Sequence, residues 1–210
     1  MLKKVIYLPI MFLALVTLPV ACNSSDTAPT TITIGGKKIM QWSSPPKMSI
    51  DSKKDYTATI STNYGDIVIQ LLTKEAPVTV NNFVFLSRQG FYNGVIFHRV
   101  VKGFVIQSGD PTGTGSGSPG YKFADEKVTR NYVAGTLAMA NSGKNTNGSQ
   151  FFITLTDVNL PKAYNIFGLV TAGFDVVTKI GDVPVALSPS GEKSQPTVDV
   201  HINSITIVEK

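Results

Sequence analysis

One arginine stands on an apolar face of the stretch FHRVVKGFVIQSGD, residues 97–110. Side chains alternate between the two faces of a strand, so Arg99 shares its face with Phe97. A guanidinium cannot lose its proton to escape burial, and no acid follows closely in sequence before Asp110. Gln107 has the same parity as Arg99, so its amide could orient the guanidinium. The pattern therefore places a fixed cation beside apolar surface.

A second segment, MANSGKNTNGSQFFITL, predicts a strand after a loop rich in hydrogen-bonding residues. Gln150 and Phe152 lie on one face of that strand, while Phe104 and Val105 add apolar surface near Arg99. Together these residues could form a shallow apolar pocket with one cation at its rim. The pattern alone fits equally well a set of ordinary core and loop residues of a barrel.

Other catalytic chemistries find little support in the sequence. His98 and His201 are the only histidines and Cys22 is the only cysteine, too few for a typical zinc site. No G-x-S-x-G elbow is present to raise a serine nucleophile. The stretch GSGSPG matches the dinucleotide fingerprint, but YKFADE follows it instead of an apolar helix. We therefore expect neither a metal nor a cofactor.

Composition and charge favour one compact domain without nucleic acid as a partner. Hydrophobic residues make up 42% of the 210 residues and charged residues 16%, which is ordinary for a globular protein. The formal net charge is +5, but the lysines and arginines are scattered instead of forming a stripe with interleaved aromatic residues. Nucleic-acid binding is therefore not expected.

The first residues, MLKKVIYLPIMFLALVTLPVAC, have the charged start and apolar run of an export signal. Pro9 and Pro19 make them a poor uncleaved membrane helix. Cys22 resembles the acylated cysteine of a bacterial lipobox, although Pro19 stands where leucine is usual. We predict a signal peptide at residues 1–21 and an exported protein anchored to the cell membrane by lipidated Cys22. The alternative is an ordinary cleaved signal with an incidental cysteine.

Residues 22–54 are predicted to form a tether, and residues 55–210 the main domain. Within the tether, TTITIGGKKI predicts a short hairpin, and Trp42 is expected to dock onto the domain as a structural anchor. In the domain, many short β-like runs accompany only two helical patterns, the first opening at Pro77. A closed antiparallel barrel or a sandwich is therefore favoured over a βαβ sheet. A change of apolar parity near Asn203 predicts a β-bulge.

The motifs FHRVVKGFVIQSGDPTGTGSG and LAMANSGKNTNGSQFFIT, followed by NIFG, resemble the cyclophilin family of peptidyl-prolyl cis/trans isomerases. The resemblance runs from about Tyr56 to the C-terminus. It implies a mainly β fold, a closed eight-stranded antiparallel barrel capped by two helices. It also implies isomerisation of Xaa-Pro bonds in exported polypeptides. The alternative is a module or holdase that binds proline-containing segments with little catalysis; in either case we expect a monomer.

The resemblance also assigns the site residues. It implies that Arg99 is catalytic and that nine others form the proline pocket and peptide groove: Phe104, Val105, Gln107, Ala140, Asn141, Gln150, Phe152, Leu160 and Tyr164. Two positions depart from the family pattern. Tyr164 stands where many relatives have a histidine, and Asn159 stands where some have a tryptophan.

Overall fold

The computed structural model of the protein describes residues 28–210, which contain twelve strands and two helices. The predicted signal peptide and Cys22 lie outside the described residues. The helices are α1 (Pro77–Arg88) and α2 (Phe174–Gly181). The strands are β1 (Thr30–Ile34), β2 (Lys37–Gln41), β3 (Tyr56–Thr62), β4 (Gly65–Leu71), β5 (Arg99–Val101), β6 (Val105–Ser108), β7 (Thr136–Met139), β8 (Phe151–Thr154), β9 (Ile166–Ala172), β10 (Val185–Leu187), β11 (Lys193–Pro196) and β12 (Ile202–Glu209).

Eight strands form one antiparallel sheet in the order β12-β3-β4-β9-β7-β8-β6-β5. Alternate residues of β3 and β4 are buried, as their apolar and polar alternation predicts. The buried face holds the main core, into which α1 places the ring of Phe83 against those of Tyr92, Phe151 and Phe167. The fold is therefore mainly β with two helices, as predicted.

The prediction of a closed barrel is wrong, because the sheet is an open half-barrel. Its edge strands β5 and β12 do not pair along their length. The chain just before them meets at one bridge between Ile96 and His201, supported by a hydrogen bond from the Phe97 N–H to the Val200 carbonyl at 2.9 Å. Beyond this bridge β5 is only three residues long, and the β10–β11 hairpin lies against it through β11. The two edge strands therefore share no ladder, and the sheet stays open between them.

Local signals in the sequence set several element boundaries. Helix α1 begins at Pro77 as predicted, and Gly90 follows its end with a φ of 69°, a left-handed conformation that glycine adopts readily. The register of β12 shifts between Ile202 and Ser204, which confirms the predicted bulge. Helix α2 occupies the second predicted helical stretch.

The N-terminal extension contributes a hairpin and an anchor. Strands β1 and β2 pair with each other around a Gly-Gly turn, as the sequence predicts. Trp42 follows β2 and is 5% exposed, with its ring edge-on to Phe85 at 5.3 Å between centroids. The backbone N–H of Trp42 donates to the Pro119 carbonyl at 2.8 Å. Trp42 therefore anchors the extension to the main domain, as predicted.

Candidate active site

The site lies on the outer face of the sheet, opposite the main core. Strands β7 and β8 are buried on both faces, so their outward side chains also pack against apolar neighbours. These outward residues belong to a second apolar cluster, separate from the core, formed by Val105, Tyr132, Ala138, Phe152 and Ile166. This cluster provides an apolar floor on the outside of the sheet.

Strand register aligns the principal polar residues with this floor. Arg99 on β5 is the direct cross-strand partner of Gln107 on β6, and Gln107 is the partner of Phe152 on β8. The next partner in the row is Ala138 on β7. Because directly opposed residues in adjacent strands share a face, the cation, the amide and the aromatic ring stand side by side.

A cavity of about 260 Å³ opens above this row. Its lining consists of Arg99 and eight of the nine residues predicted for the pocket and groove: Phe104, Val105, Gln107, Ala140, Asn141, Phe152, Leu160 and Tyr164. The ninth, Gln150, lines an adjoining cavity of about 380 Å³, which shares Gln107, Ala140 and Asn141 with the first. The structure thus brings all the predicted residues of the domain into one continuous region.

Arg99 is held from two sides. Its Nε donates to Oε2 of Glu192 at 2.7 Å and its Nη2 donates to Oε1 of the same carboxylate at 2.8 Å. Its Nη1 donates to Oε1 of Gln107 at 3.4 Å, and its Cζ lies 6.0 Å from the ring centroid of Phe104. The side chain remains 30% exposed, so the cation is paired and partly solvated and is not buried alone among apolar residues.

Glu192 is the residue that the sequence did not reveal. It lies 93 residues from Arg99, between β10 and β11, and no motif marks it. The only signal was indirect, because a half-buried arginine without a neighbouring acid requires a distant partner. The Arg99 guanidinium holds the pKa of the Glu192 carboxyl below its usual value, which keeps the carboxylate ionised and the pair intact.

A relay of hydrogen bonds continues from Gln107 into the glycine-rich loop. The Gln107 Nε2 donates to Oε1 of Gln150 at 3.1 Å, and the Gln150 Nε2 donates to the carbonyls of Gly115 and Gly117, both at 3.0 Å. The N–H groups of these two glycines donate in turn to the carboxylate of Asp110 at 2.5 and 3.0 Å. The loop therefore fixes the amide beside the cavity.

Two further ionisable groups near this region, Asp110 and His98, are in contrasting states. Burial raises the pKa of Asp110, but hydrogen bonds from Thr112 and from the Gly117 N–H outweigh it and hold that pKa below its usual value. Burial lowers the pKa of His98, and Arg99 lowers it further against the opposing effect of Asp110. Neither ring nitrogen of His98 has a hydrogen-bond partner among residues 28–210. His98 is therefore a neutral imidazole at neutral pH, and it does not line the 260 Å³ cavity.

Residues 28–210 contain no group of three or more histidine, cysteine, aspartate or glutamate side chains arranged to hold a metal ion. The groups that line the 260 Å³ cavity are an oriented cation, two amides and an apolar surface.

Comparison with known proteins identifies the family. The family described as cyclophilin type peptidyl-prolyl cis-trans isomerase/CLD matches residues 57–207. The chain belongs to this family. Human peptidyl-prolyl cis-trans isomerase-like 3 is 44% identical over 158 residues, which cover 72% of this chain and 95% of that protein. The match to the mouse peptidylprolyl isomerase domain and WD repeat-containing protein 1 is 47% identical over 168 residues, or 77% of this chain. It spans only 25% of that longer protein.

The fold of this cyclophilin is also found among solved structures. A cyclophilin type peptidyl-prolyl cis-trans isomerase of Cryptosporidium parvum matches with a TM-score of 0.69 and 38% identity, covering 74% of this chain and 99% of that one. A second structure of that protein, determined in the presence of the dipeptide Ala-Pro, gives a TM-score of 0.68. The family predicted from the two motifs is therefore confirmed, and so is the mainly β fold with two helices, although the sheet is not a closed barrel.

The two departures from the family pattern occupy different places. Tyr164 lines the 260 Å³ cavity, with its ring edge-on to Phe152 at 5.7 Å between centroids. Asn159 does not line that cavity. It borders a neighbouring depression of about 360 Å³, which shares Leu160 with the first. Tyr164 thus adds aromatic surface to the pocket of this cyclophilin, while Asn159 lies beyond its edge.

Proposed function

We propose that this cyclophilin catalyses cis/trans isomerisation of Xaa-Pro bonds in exported polypeptides, with Arg99 as the catalytic residue. The observation that carries the proposal is an oriented guanidinium at the rim of an apolar cavity of about 260 Å³. The relative from C. parvum, whose structure was determined in the presence of Ala-Pro, supports a proline-containing peptide as the ligand.

The reaction needs a donor that favours the twisted amide. Rotation about an Xaa-Pro bond has a barrier of roughly 18–20 kcal/mol because it breaks amide resonance. Halfway through the rotation the proline nitrogen is pyramidal and regains its lone pair. An Arg99 N–H aimed at this nitrogen bonds better to the twisted state than to either planar state, which lowers the barrier. No covalent bond forms and no proton is transferred, so the reaction requires no nucleophile, metal or cofactor.

The remaining residues bind and orient the peptide. Phe104, Val105, Phe152, Leu160 and Tyr164 offer the apolar surface that a proline ring prefers. Exclusion of water by this surface strengthens the effect of the nearby cation.

The amides complete the groove. Gln107 and Gln150 hold each other and the loop, while the Asn141 Nδ2 is tied to the Ala163 carbonyl at 2.8 Å. Fixed amides and the wall at Ala140 lose little freedom when an extended peptide binds along the groove.

The proposal locates this activity outside the cytoplasmic membrane. In the proposal, residues 1–21 are the export signal, lipidated Cys22 anchors the chain to the cell membrane, and residues 22–54 tether the domain of residues 55–210. The basic and apolar start of the chain supports this arrangement. Among residues 28–210, no helix is long and apolar enough to cross a membrane. The domain acts as a monomer in this arrangement.

A direct assay tests the proposed function against the alternative of a binding module. Isomerisation of a short Xaa-Pro peptide is followed by a protease that cleaves only the trans form. Suppression of aggregation of an unfolded protein is measured in parallel. We expect saturable acceleration of isomerisation. Suppression of aggregation without acceleration would favour the holdase and refute the enzyme.

A further inference from the structure

The pair between Arg99 and Glu192 uses one particular edge of the guanidinium. The group is planar and carries five N–H donors in a fixed fork. Glu192 accepts from Nε and Nη2 at 2.7 and 2.8 Å, which is the side-on bidentate arrangement. Each terminal nitrogen keeps a second N–H that no hydrogen bond within residues 28–210 uses. The distal end of the guanidinium is therefore available to a ligand while its side edge is fixed.

Gln107 alone is a weak restraint on this side chain. Its single bond to Nη1 measures 3.4 Å, at the long end of hydrogen-bonding distance. An arginine side chain has several rotatable bonds and loses much rotamer freedom when it is held in one place. Two short charge-assisted bonds fix both the position and the plane of the guanidinium in a way that one long bond does not.

Glu192 is itself held in place by the β10–β11 hairpin. The Ser188 N–H donates to the Glu192 carbonyl at 2.7 Å and the Gly191 N–H donates to the Ser188 carbonyl at 2.9 Å, which closes the turn. After Arg99, the buried Ser194 on β11 also lowers the pKa of the Glu192 carboxyl. Since β11 lies against β5, the hairpin carries a fixed carboxylate to the strand that bears Arg99.

We propose that Glu192 is a positioning residue that orients the Arg99 guanidinium so that its distal N–H groups face the bound Xaa-Pro bond. The inference rests on the proposed catalytic role of Arg99. Glu192 lies outside the residues that line the 260 Å³ cavity, so its effect passes through Arg99.

The contribution of this pair lies in catalysis more than in stability. Glu192 is 39% exposed, and exposed ion pairs contribute little to folding. Misplacing a reacting group by about 1 Å can cost about a hundredfold in rate. The chain offers a matched control in Arg130 and Glu75, which form a bidentate pair of similar exposure at 2.7 and 2.6 Å. Neither residue of the control pair lines the cavity.

The test is a double-mutant cycle on the full protein, using the protease-coupled assay and a separate measurement of peptide affinity. Glu192→Ala should lower kcat/KM about tenfold, mainly through kcat, with peptide affinity nearly unchanged. Glu192→Gln, which keeps the shape but not the charge, should fall between wild type and alanine. In the Arg99→Ala background the Glu192→Ala change should have no further effect. Glu75→Ala should retain wild-type activity.

The outcomes separate this inference from the proposed function. An inactive wild-type protein would refute the function itself. An active wild type with unchanged activity in Glu192→Ala would overturn only the positioning role. An equal loss of activity from Glu192→Ala in wild type and in Arg99→Ala would show that Glu192 acts independently of Arg99. A gain in rate in Glu192→Ala would show that Glu192 hinders Arg99. Either result overturns the inference. Thermal unfolding of the alanine, glutamine and Glu75 variants checks that all of them are folded.

Discussion

Arg99 and Gln107 are direct cross-strand partners on β5 and β6, and the guanidinium donates from Nη1 to the amide oxygen at 3.4 Å. This relationship follows from the strand pairing itself, because eight residues and one tight turn bring two positions of equal parity opposite each other. The amide accepts from the guanidinium and donates onward to Gln150. A cation and a polarised amide are thus placed together by backbone geometry.

The first prediction concerns Arg99. If its N–H acts mainly on the twisted bond, Arg99→Ala should lower kcat/KM by about a hundredfold or more, whereas peptide affinity should change much less. Arg99→Lys should recover only part of the activity, because a flexible ammonium does not reproduce a planar fork. The protease-coupled assay measures the first quantity and titration with a fluorescent peptide measures the second.

Arg130→Ala provides the control, since it removes another partly exposed arginine from a bidentate pair. It should retain wild-type activity. Full activity in Arg99→Ala would remove Arg99 from the mechanism. An equal loss of binding and rate would assign Arg99 to substrate binding instead.

The second prediction concerns the proposed anchor at Cys22. Each buried CH₂ of an acyl chain contributes about 0.8 kcal/mol to membrane binding, so two or more chains hold a protein stably. Cys22→Ala should move the protein from the membrane fraction to the soluble fraction or block its processing. The measured mass of the protein should no longer include that of the attached lipid. Ser24→Ala serves as the control in the same segment. Unchanged fractionation and unchanged mass in Cys22→Ala would refute lipidation at this residue.

Sequence reasoning was most successful where the signal is local. The parity of Arg99 and Gln107, the helix start at Pro77 and the bulge after Ile202 depend on neighbouring residues, and each is found in the structure. The two long motifs also carry the family, which the comparisons confirm. Local periodicity was therefore enough for most of the strands and for both helices, and the family resemblance of the two motifs implied most of the cavity lining.

The features that the sequence did not predict depend on distant contacts. Glu192 meets Arg99 only because the β10–β11 hairpin lies beside β5, and nothing in the spacing of the chain encodes that approach. The closed barrel was wrongly predicted for the same reason. The alternation of apolar and polar residues indicates which segments are strands. Closure of the sheet into a barrel depends instead on the length of the edge strands and on what lies against them.

The third prediction concerns Gly117 in the glycine-rich loop. A Cβ atom on Gly117 would collide with Oδ1 of Asp110, so Gly117→Ala must displace the loop or the carboxylate. Because the Gly117 carbonyl also holds Gln150, the change should weaken peptide binding several-fold and raise KM more than it lowers kcat. Measurement of both constants checks this expectation. Ser116→Ala, one position earlier, should change KM less, and equal effects of the two variants would contradict the role assigned to Gly117.

The last prediction concerns pH and His98. Burial lowers the pKa of this imidazole below its ordinary value of 6.5, so the folded protein binds fewer protons at His98 than the unfolded chain does. The stability linked to His98 is therefore fully present above pH 6.5 and is lost as the pH falls through the lowered pKa. Between pH 7.5 and 5.5 the melting temperature should fall in wild type and fall less in His98→Phe, which cannot titrate. His201→Gln, at the other histidine, should keep the dependence of the melting temperature on pH that His98 causes.

The isomerisation rate should stay nearly flat over the same pH range, because no proton moves in the proposed reaction. A steep acid limb in kcat for wild type that disappears in His98→Phe would make His98 a participant in catalysis and contradict this mechanism.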